Sequence, residues 1–352
     1  MKKNYLLIIF LIASLFGNAT IITVNNESGS SADYSDLNAA IGAAVAGDTL
    51  YIQPASASYG NISLSKSITL MGAGHNPSFS PYQSSIGSIN FQNGSSGCVI
   101  KGMTIQVIVS AGSAVVNNVF FSGCRMFNTS ATPISLSSGT YNNWIFEGCV
   151  IESANTGGIN LGGLGSNAIF RNNFLYSVGE ASVIYNAPSG SLFDHNILFH
   201  HYNTSFFGSI AGANATSTNN IVITEATSNY GENYSCSGCS YNNNMLYAIN
   251  GSGSFPALAG ANNLVNSNPN FLSFAITYAY SYLYDLHLSD TSAGNNAASD
   301  GTDIGIYGGI ATFSPIGTDS GSPHINTFTL GSSTAPQGGT ITIHLNASGS
   351  GQ

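Results

Sequence analysis

Phe170-Arg171-Asn172-Asn173-Phe174-Leu175-Tyr176 decides the fold, because the phrase returns as Phe193-Asp194-His195-Asn196-Ile197-Leu198-Phe199 and, more loosely, on either side of that pair. Its aligned polar position is Cys124, Cys149, Asn173, Asn196, Asn220 and Asn244, at spacings of 25, 24, 23, 24 and 24 residues. Met103 stands in the same place one repeat earlier. A held period of this length marks a solenoid, whose repeats bury their apolar sides only by stacking on one another.

Two apolar columns flank the polar one. Three residues earlier stand Ile100, Phe121, Phe146, Phe170, Phe193, Ser217 and Tyr241; two residues later stand Ile105, Met126, Ile151, Leu175, Leu198, Val222 and Leu246. This is the pattern of a strand, a tight turn and a second strand in every coil. Stacked coils lie about 4.8 Å apart, so an inward Asn can bond to its copies above and below and to the turn backbone. The aligned column is therefore scaffold. Cys124 and Cys149 read as packed thiols, and neighbouring coils leave a disulfide between them open.

Lys2 and Lys3, an apolar run from Tyr5 to Phe16 and the small residues around Gly17-Asn18-Ala19 form an export signal, residues 1–19, too short to span a bilayer. The rest of the chain is expected to be secreted or displayed at the cell surface, without membrane insertion. It carries Lys66, Lys101, Arg125 and Arg171 against fifteen acids, a net charge near −11. So few cations disfavour nucleic acid and anionic membrane as partners. Charged residues are 6 % of the chain, so solubility falls to Ser, Thr, Asn and Gly. Cys236 and Cys239, in Ser-Cys-Ser-Gly-Cys, suit a small disulfide loop better than a zinc half-site.

Along the chain, Ile21 to Val24 reads as a strand, and Leu37, Ala40, Ile41 and Ala44 predict a capping helix from about Asp36 to Ala46. Strands are predicted at Thr49 to Gln53, Asn61 to Ser65 and Ser67 to Met71, then a polar loop from His75 to Ser88. The repeated phrases resemble those of right-handed parallel β-helix proteins of the pectate-lyase-like superfamily. Ala32-Asp-Tyr-Ser-Asp-Leu-Asn-Ala-Ala-Ile with Ala46-Gly-Asp-Thr-Leu-Tyr-Ile is similar to their cap and first coil. Asp285-Leu-His-Leu through Asp303-Ile-Gly-Ile-Tyr-Gly-Gly resembles the closing segment of secreted bacterial members. The resemblance implies an all-β, right-handed parallel β-helix over residues 20–309, with coils of about 21–25 residues. Residues 310–322 are expected as a linker. Alternating residues in Pro323-His-Ile-Asn-Thr-Phe-Thr-Leu and Gly339-Thr-Ile-Thr-Ile-His-Leu-Asn predict the start of a truncated β-sandwich-like unit over 323–352.

The fold alone does not choose a function, since lyases, hydrolases, epimerases, adhesins and phage fibres share it. Two residues before the ladder stand Lys101, Ser122, Glu147, Arg171, Asp194, Thr218 and Asn242. Glu147 and Asp194, two coils apart, have Cα atoms roughly 9–10 Å apart and suit an inverting carboxylate pair. Arg171 between them would depress both pKa values, which suits a salt-bridged stack better than a general acid. His195, His200 and His201 read as a surface turn. The lyases of the superfamily commonly use calcium held by clustered Asp with an Arg or Lys base, and that pattern has no counterpart here. No metal or cofactor is expected, with calcium left open.

Phe174, Tyr176, Phe199 and Tyr247 form an apolar stripe that could stack sugar rings or lie under loops. Tyr278, Tyr280, Tyr282 and Tyr284 alternate at period two, as a sugar platform or a cover for the last coil. The first reading is a secreted or cell-surface β-helix that binds extracellular carbohydrate or another surface without chemistry of its own. The alternative is a polysaccharide lyase or inverting glycoside hydrolase using Glu147 and Asp194. A third is a spacer displaying the C-terminal unit.

Overall fold

Every repeat phrase builds two short strands around one sharp turn, and like strands of successive coils pair in parallel. Residues 19–78, 81–110, 112–129, 132–136, 138–153, 159–160, 165–177, 183–185, 187–200, 214–225, 238–249, 255, 257–258, 260–275, 280–311, 313–317, 324–330, 334, 339–340 and 342–348 are described in this computed structural model. Two long sheets dominate. The first has ten strands in sequence order, from Ile21–Val24 and Thr49–Ile52 through Phe120–Ser122, Ile145–Glu147, Ile169–Arg171 and Leu192–Asp194 to Ser240–Asn242. The second has thirteen and includes Arg125–Asn128, Val150–Ser153, Phe174–Ser177, Ile197–His200, Ile221–Thr224 and Met245–Ala248. The result is an all-β parallel solenoid with one short helix.

Between the sheets, the residue just before the ladder is left-handed in each coil: Gly102, Gly123, Gly148, Asn172, His195, Asn219 and Asn243 have φ between 52° and 60°. Gly and Asn enter that region at low cost, which is why they dominate the column. The next residue turns inward. Asn196 Nδ2 donates to Phe170 O at 2.9 Å and to Asn220 Oδ1 at 2.9 Å, and its backbone N–H donates to the same Oδ1 at 2.8 Å. Asn173 and Asn220 repeat the arrangement. Beside the ladder Phe121, Phe146, Phe170 and Phe193 stack with centroids 4.9, 4.6 and 5.4 Å apart. Fully burying each ring contributes roughly 1.5–3 kcal/mol.

The helix, α1, spans Leu37–Ala43. Asp36 caps its start by accepting from Ala39 N at 2.7 Å, and Leu37, Ala40 and Ile41 cover the first coil. It ends before Ala46 because Ala44 leaves helical geometry at ψ 150° and Lys66 takes the last carbonyls, donating to Ile41, Gly42 and Ala44. The expected loop before Ser88 is shorter than predicted, since Ser85–Phe91 is already a strand.

The described residues between 271 and 317 form a strap. Phe271–Ser273 and Asp285–Leu288 pair antiparallel, and the segment's Tyr280, Leu286, Leu288, Ile304, Ile306 and Phe313 pack on the outer face of the second sheet. The strap then returns along the turn column from the last coil toward the first. Asn243 Nδ2 donates to Ala297 O, Ser299 N to Asn219 Oδ1, and Asn172 Nδ2 to Ile306 O and Gly308 O. At Gly102 and Gly123 the strap backbone itself comes close: a Cβ on Gly123 would lie 2.7 Å from Gly317 O, and one on Gly102 3.0 Å from it. The strap therefore runs past Gly309 into the segment expected as linker, because Phe313 is buried and Ile316 O accepts from His75 N at 2.9 Å. Farther on, His324–Leu330 and Ile343–Ser348 pair antiparallel as a separate two-stranded sheet.

Candidate functional site

The outer face of the first sheet carries the row expected two residues before the ladder. Register places Glu147 opposite Arg171 and Arg171 opposite Asp194, so the three stand on successive strands. Arg171 Nε donates to Glu147 Oε2 at 2.5 Å, and both side chains are partly exposed. Asp194 turns the other way: its Oδ1 lies 2.8 Å from His195 Nδ1 and accepts from Asn219 Nδ2 at 2.9 Å. The carboxylates are thus held in position by different partners. Beside this row runs a half-buried apolar one, Phe120, Ile145, Ile169 and Leu192, in register on the same strands. Lys101 lies at its upper end with Nζ 6.0 Å from the Phe120 centroid.

The aromatic stripe is elsewhere and covered. Phe174, Tyr176 and Phe199 are each at most 2 % exposed, enclosed by Tyr280, Phe274 and the aliphatic residues of the strap. Rings packed on the second sheet's outer face beneath the chain's own return segment offer no surface for a sugar. Tyr247 is partly exposed, and its hydroxyl accepts from Asn268 Nδ2 at 3.2 Å. Of the alternating tyrosines, Tyr280 is buried, Tyr282 and Tyr284 are half-buried, and Tyr278 lies outside the described residues. They act as the cover rather than as an open platform.

Beneath the strap lies a polar cluster that the sequence did not reveal. Arg125 Nε donates to Glu152 Oε2 at 2.8 Å, and Glu152 Oε1 accepts from Tyr280 N at 2.6 Å. The Tyr282 hydroxyl donates to His75 O at 2.6 Å and lies 2.9 Å from His75 Nδ1. With the phenol proton on that carbonyl, His75 Nδ1–H donates to Tyr282, and Nε2 is buried with no partner among the described residues. Burial, with Arg125 nearby, holds His75 down at about 3. Burial also raises Glu152, against the lowering pull of Arg125. Arg125 and Glu152 meet diagonally across neighbouring strands and become desolvated only once the strap is in place, so spacing alone gave no signal.

His195 is not on an open turn. It is 1 % exposed, with Nε2 3.3 Å from Thr302 Oγ1 and 3.7 Å from Asp300 Oδ1 on the strap. His200 is buried and His201 lies outside the described residues. Cys98, Cys124 and Cys149 are free thiols, and burial, with Cys124 beside it, raises Cys149 well above the usual thiol range. Cys239 is disulfide-bonded, and Cys236 lies outside the described residues. No group of three or more metal-ligating side chains occurs among the described residues. Among them, too, no helix is long and apolar enough to cross a membrane. A cleft of about 650 Å³ beside the cap is lined by Thr20, Ile22, Asp33, Tyr34 and Asp48, whose carboxylates are engaged by Thr23, Thr20 and Val45.

Against solved structures, the chain is similar to pectate lyase Pel9A, with a TM-score of 0.51, 13 % identity, and coverage of 84 % of this chain and 97 % of that one. It also matches a pectin methylesterase from Aspergillus niger in its deglycosylated form, with a TM-score of 0.34, 16 % identity, and coverage of 77 % and 94 %. The first likeness establishes the fold as the right-handed parallel β-helix of the pectate-lyase-like type. No family model and no curated protein matches the sequence.

Proposed function

We propose that this chain is an exported β-helix that binds extracellular carbohydrate on the outer face of its first sheet and does not cleave it. One observation carries the reading: on that face an apolar row, Phe120, Ile145, Ile169 and Leu192, runs beside a hydrogen-bonding row in which Glu147 and Asp194 are already engaged. Pyranose rings present apolar faces and hydroxyl edges, and such paired rows suit both. The second sheet's outer face is taken by the strap, so among the described residues the first sheet offers the broader open surface. A fold shared with a pectate lyase supports a carbohydrate ligand, and the export signal read in residues 1–19 supports an extracellular one.

Affinity electrophoresis through gels containing a panel of neutral and acidic polysaccharides tests the reading. The wild type is expected to be retarded by at least one, and Phe120→Ser with Leu192→Ser to be retarded clearly less. Retardation by none, or retardation unchanged in the double variant, overturns it. The second reading, cleavage by Glu147 and Asp194, is favoured by their spacing of two strands, about 9.6 Å. The partners of the two carboxylates speak against it, because Glu147 is bonded to Arg171 and Asp194 to His195 and Asn219, so neither is held toward a shared substrate.

A further inference from the structure

Outside the first-sheet face, the strap presents one preorganised aromatic group. Asp285 and His287 are two apart on the strand Asp285–Leu288, so they share its outward side while Leu286 and Leu288 face the core. Asp285 Oδ1 lies 2.7 Å from His287 Nδ1, which fixes the ring's rotation. The imidazole lies flat on the Tyr307 ring, with centroids 3.6 Å apart and planes 8° apart. Tyr307 itself is held as a neutral phenol, its value pushed up to about 12 by burial and by Asp285. With one face of the imidazole against Tyr307 and the His287 side chain still 54 % exposed, the other face is open to solvent. Asp285 is 47 % exposed, and its Oδ2 has no partner among the described residues. An open aromatic face with a fixed carboxylate at its edge is what a pyranose ring needs: stacking for its C–H face and an acceptor for a hydroxyl.

Charge narrows the class of sugar. Residues 271–317 contain Asp285, Asp290, Asp300 and Asp303 and no Lys or Arg. Elsewhere Lys66 caps α1, Arg125 is paired with Glu152 under the strap, Arg171 is paired with Glu147, and Lys101 stands over the Phe120 ring at the end of the first-sheet face. A polyuronate brings one carboxylate per residue and would meet repulsion here rather than a cationic groove.

We infer that Asp285, His287 and Tyr307 form a subsite for an uncharged hexose of a neutral polysaccharide, and that polyuronates are excluded in spite of the fold shared with a pectate lyase. This rests on the carbohydrate-binding reading above. The test is affinity electrophoresis of the full chain at pH 7 in laminarin, in galactomannan and in polygalacturonate, the last with and without calcium. The expected result is retardation by a neutral polymer and none by polygalacturonate. His287→Ala and Asp285→Ala should each weaken retention at least fivefold, while His287→Phe, which keeps a flat ring, stays within twofold of wild type. Matching thermal melts would show that all three exposed variants fold. Retention by polygalacturonate as strong as by the neutral polymers, in either calcium condition, overturns the assigned class. Neutral-polymer retention unchanged in both alanine variants, or lost equally in His287→Phe, overturns the subsite while leaving the first-sheet face standing. A wild type that binds none of the polymers removes the carbohydrate reading and this inference together.

Discussion

His75 shows how much a single side chain can reveal about the strap that covers it. An unfolded His75 takes up a proton near pH 6.5, whereas the folded ring stays neutral down to about 3. The unfolded state therefore binds more protons across that window, and stability falls as pH drops through it. Between pH 6.5 and 5 the loss is roughly 1–2 kcal/mol. Urea unfolding at the two pH values should show this loss in the wild type, and His75→Phe should flatten it. A slope unchanged in the variant would assign the effect elsewhere. The ladder offers a second test at this scale. Asn220→Ala removes the only acceptor of Asn196 N among the described residues and one of the two acceptors of Asn196 Nδ2, at a cost of roughly 1–3 kcal/mol. Chemical denaturation measures it, and a cost below about 1 kcal/mol would mean that water replaces the amide. The ladder was legible because identical residues recur at a fixed period. Asn263 was not: its Oδ1 accepts from Asn244 N and its Nδ2 donates to Tyr241 O, but it lies 19 residues beyond Asn244, outside the 23–25 spacing.

Among the elements, the strap decides which surfaces are available. Its backbone passes Gly123 and His75 so closely that a Cβ on Gly317, at φ 78°, would lie 2.2 Å from His75 Cδ2. Gly317→Ala is expected to lower the melting temperature by several degrees, whereas Ala311→Gly on the same strap should change it little. Equal melting temperatures for Gly317→Ala and the wild type would show that the strap does not grip there. Glu152→Gln leaves Arg125 as a largely buried cation without its counter-charge, at an expected cost of roughly 3 kcal/mol. The repeat phrases could not announce this element. Asp285-Leu-His-Leu and Asp303-Ile-Gly-Ile-Tyr-Gly-Gly marked a closing segment, yet nothing local in them says that the segment returns along the turn column. The left-handed column held the clue in its change from glycine, where the strap backbone approaches, to Asn172, His195, Asn219 and Asn243, which bond to it. An apolar stripe on a strand looks the same whether it meets solvent or a returning segment of its own chain, and this is why Phe174, Tyr176 and Phe199 were legible as outward-facing but not as covered.

The molecule as a whole is a solenoid closed at one end by α1 and sheathed along one face by its own C-terminal strap. Removing the strap should expose Val150, Phe174, Tyr176, Ile197, Phe199, Ile221, Ile223 and Met245 together, a continuous apolar surface. A chain ending at Asn270 is expected to bind a hydrophobic dye strongly or aggregate, while the full chain does neither; a soluble truncation that binds no dye would show that the sheath is dispensable. What remains open is a first-sheet face whose carboxylates are tied up and a strap surface bearing one aromatic platform. The most direct measurement is to incubate the purified full chain with neutral and acidic polysaccharides, separate bound from free protein, and assay the same samples for new reducing ends and unsaturated products. Bound protein and no products are expected. Reducing ends or unsaturated products that vanish in Glu147→Gln or Asp194→Asn would contradict it and make this face a catalytic site.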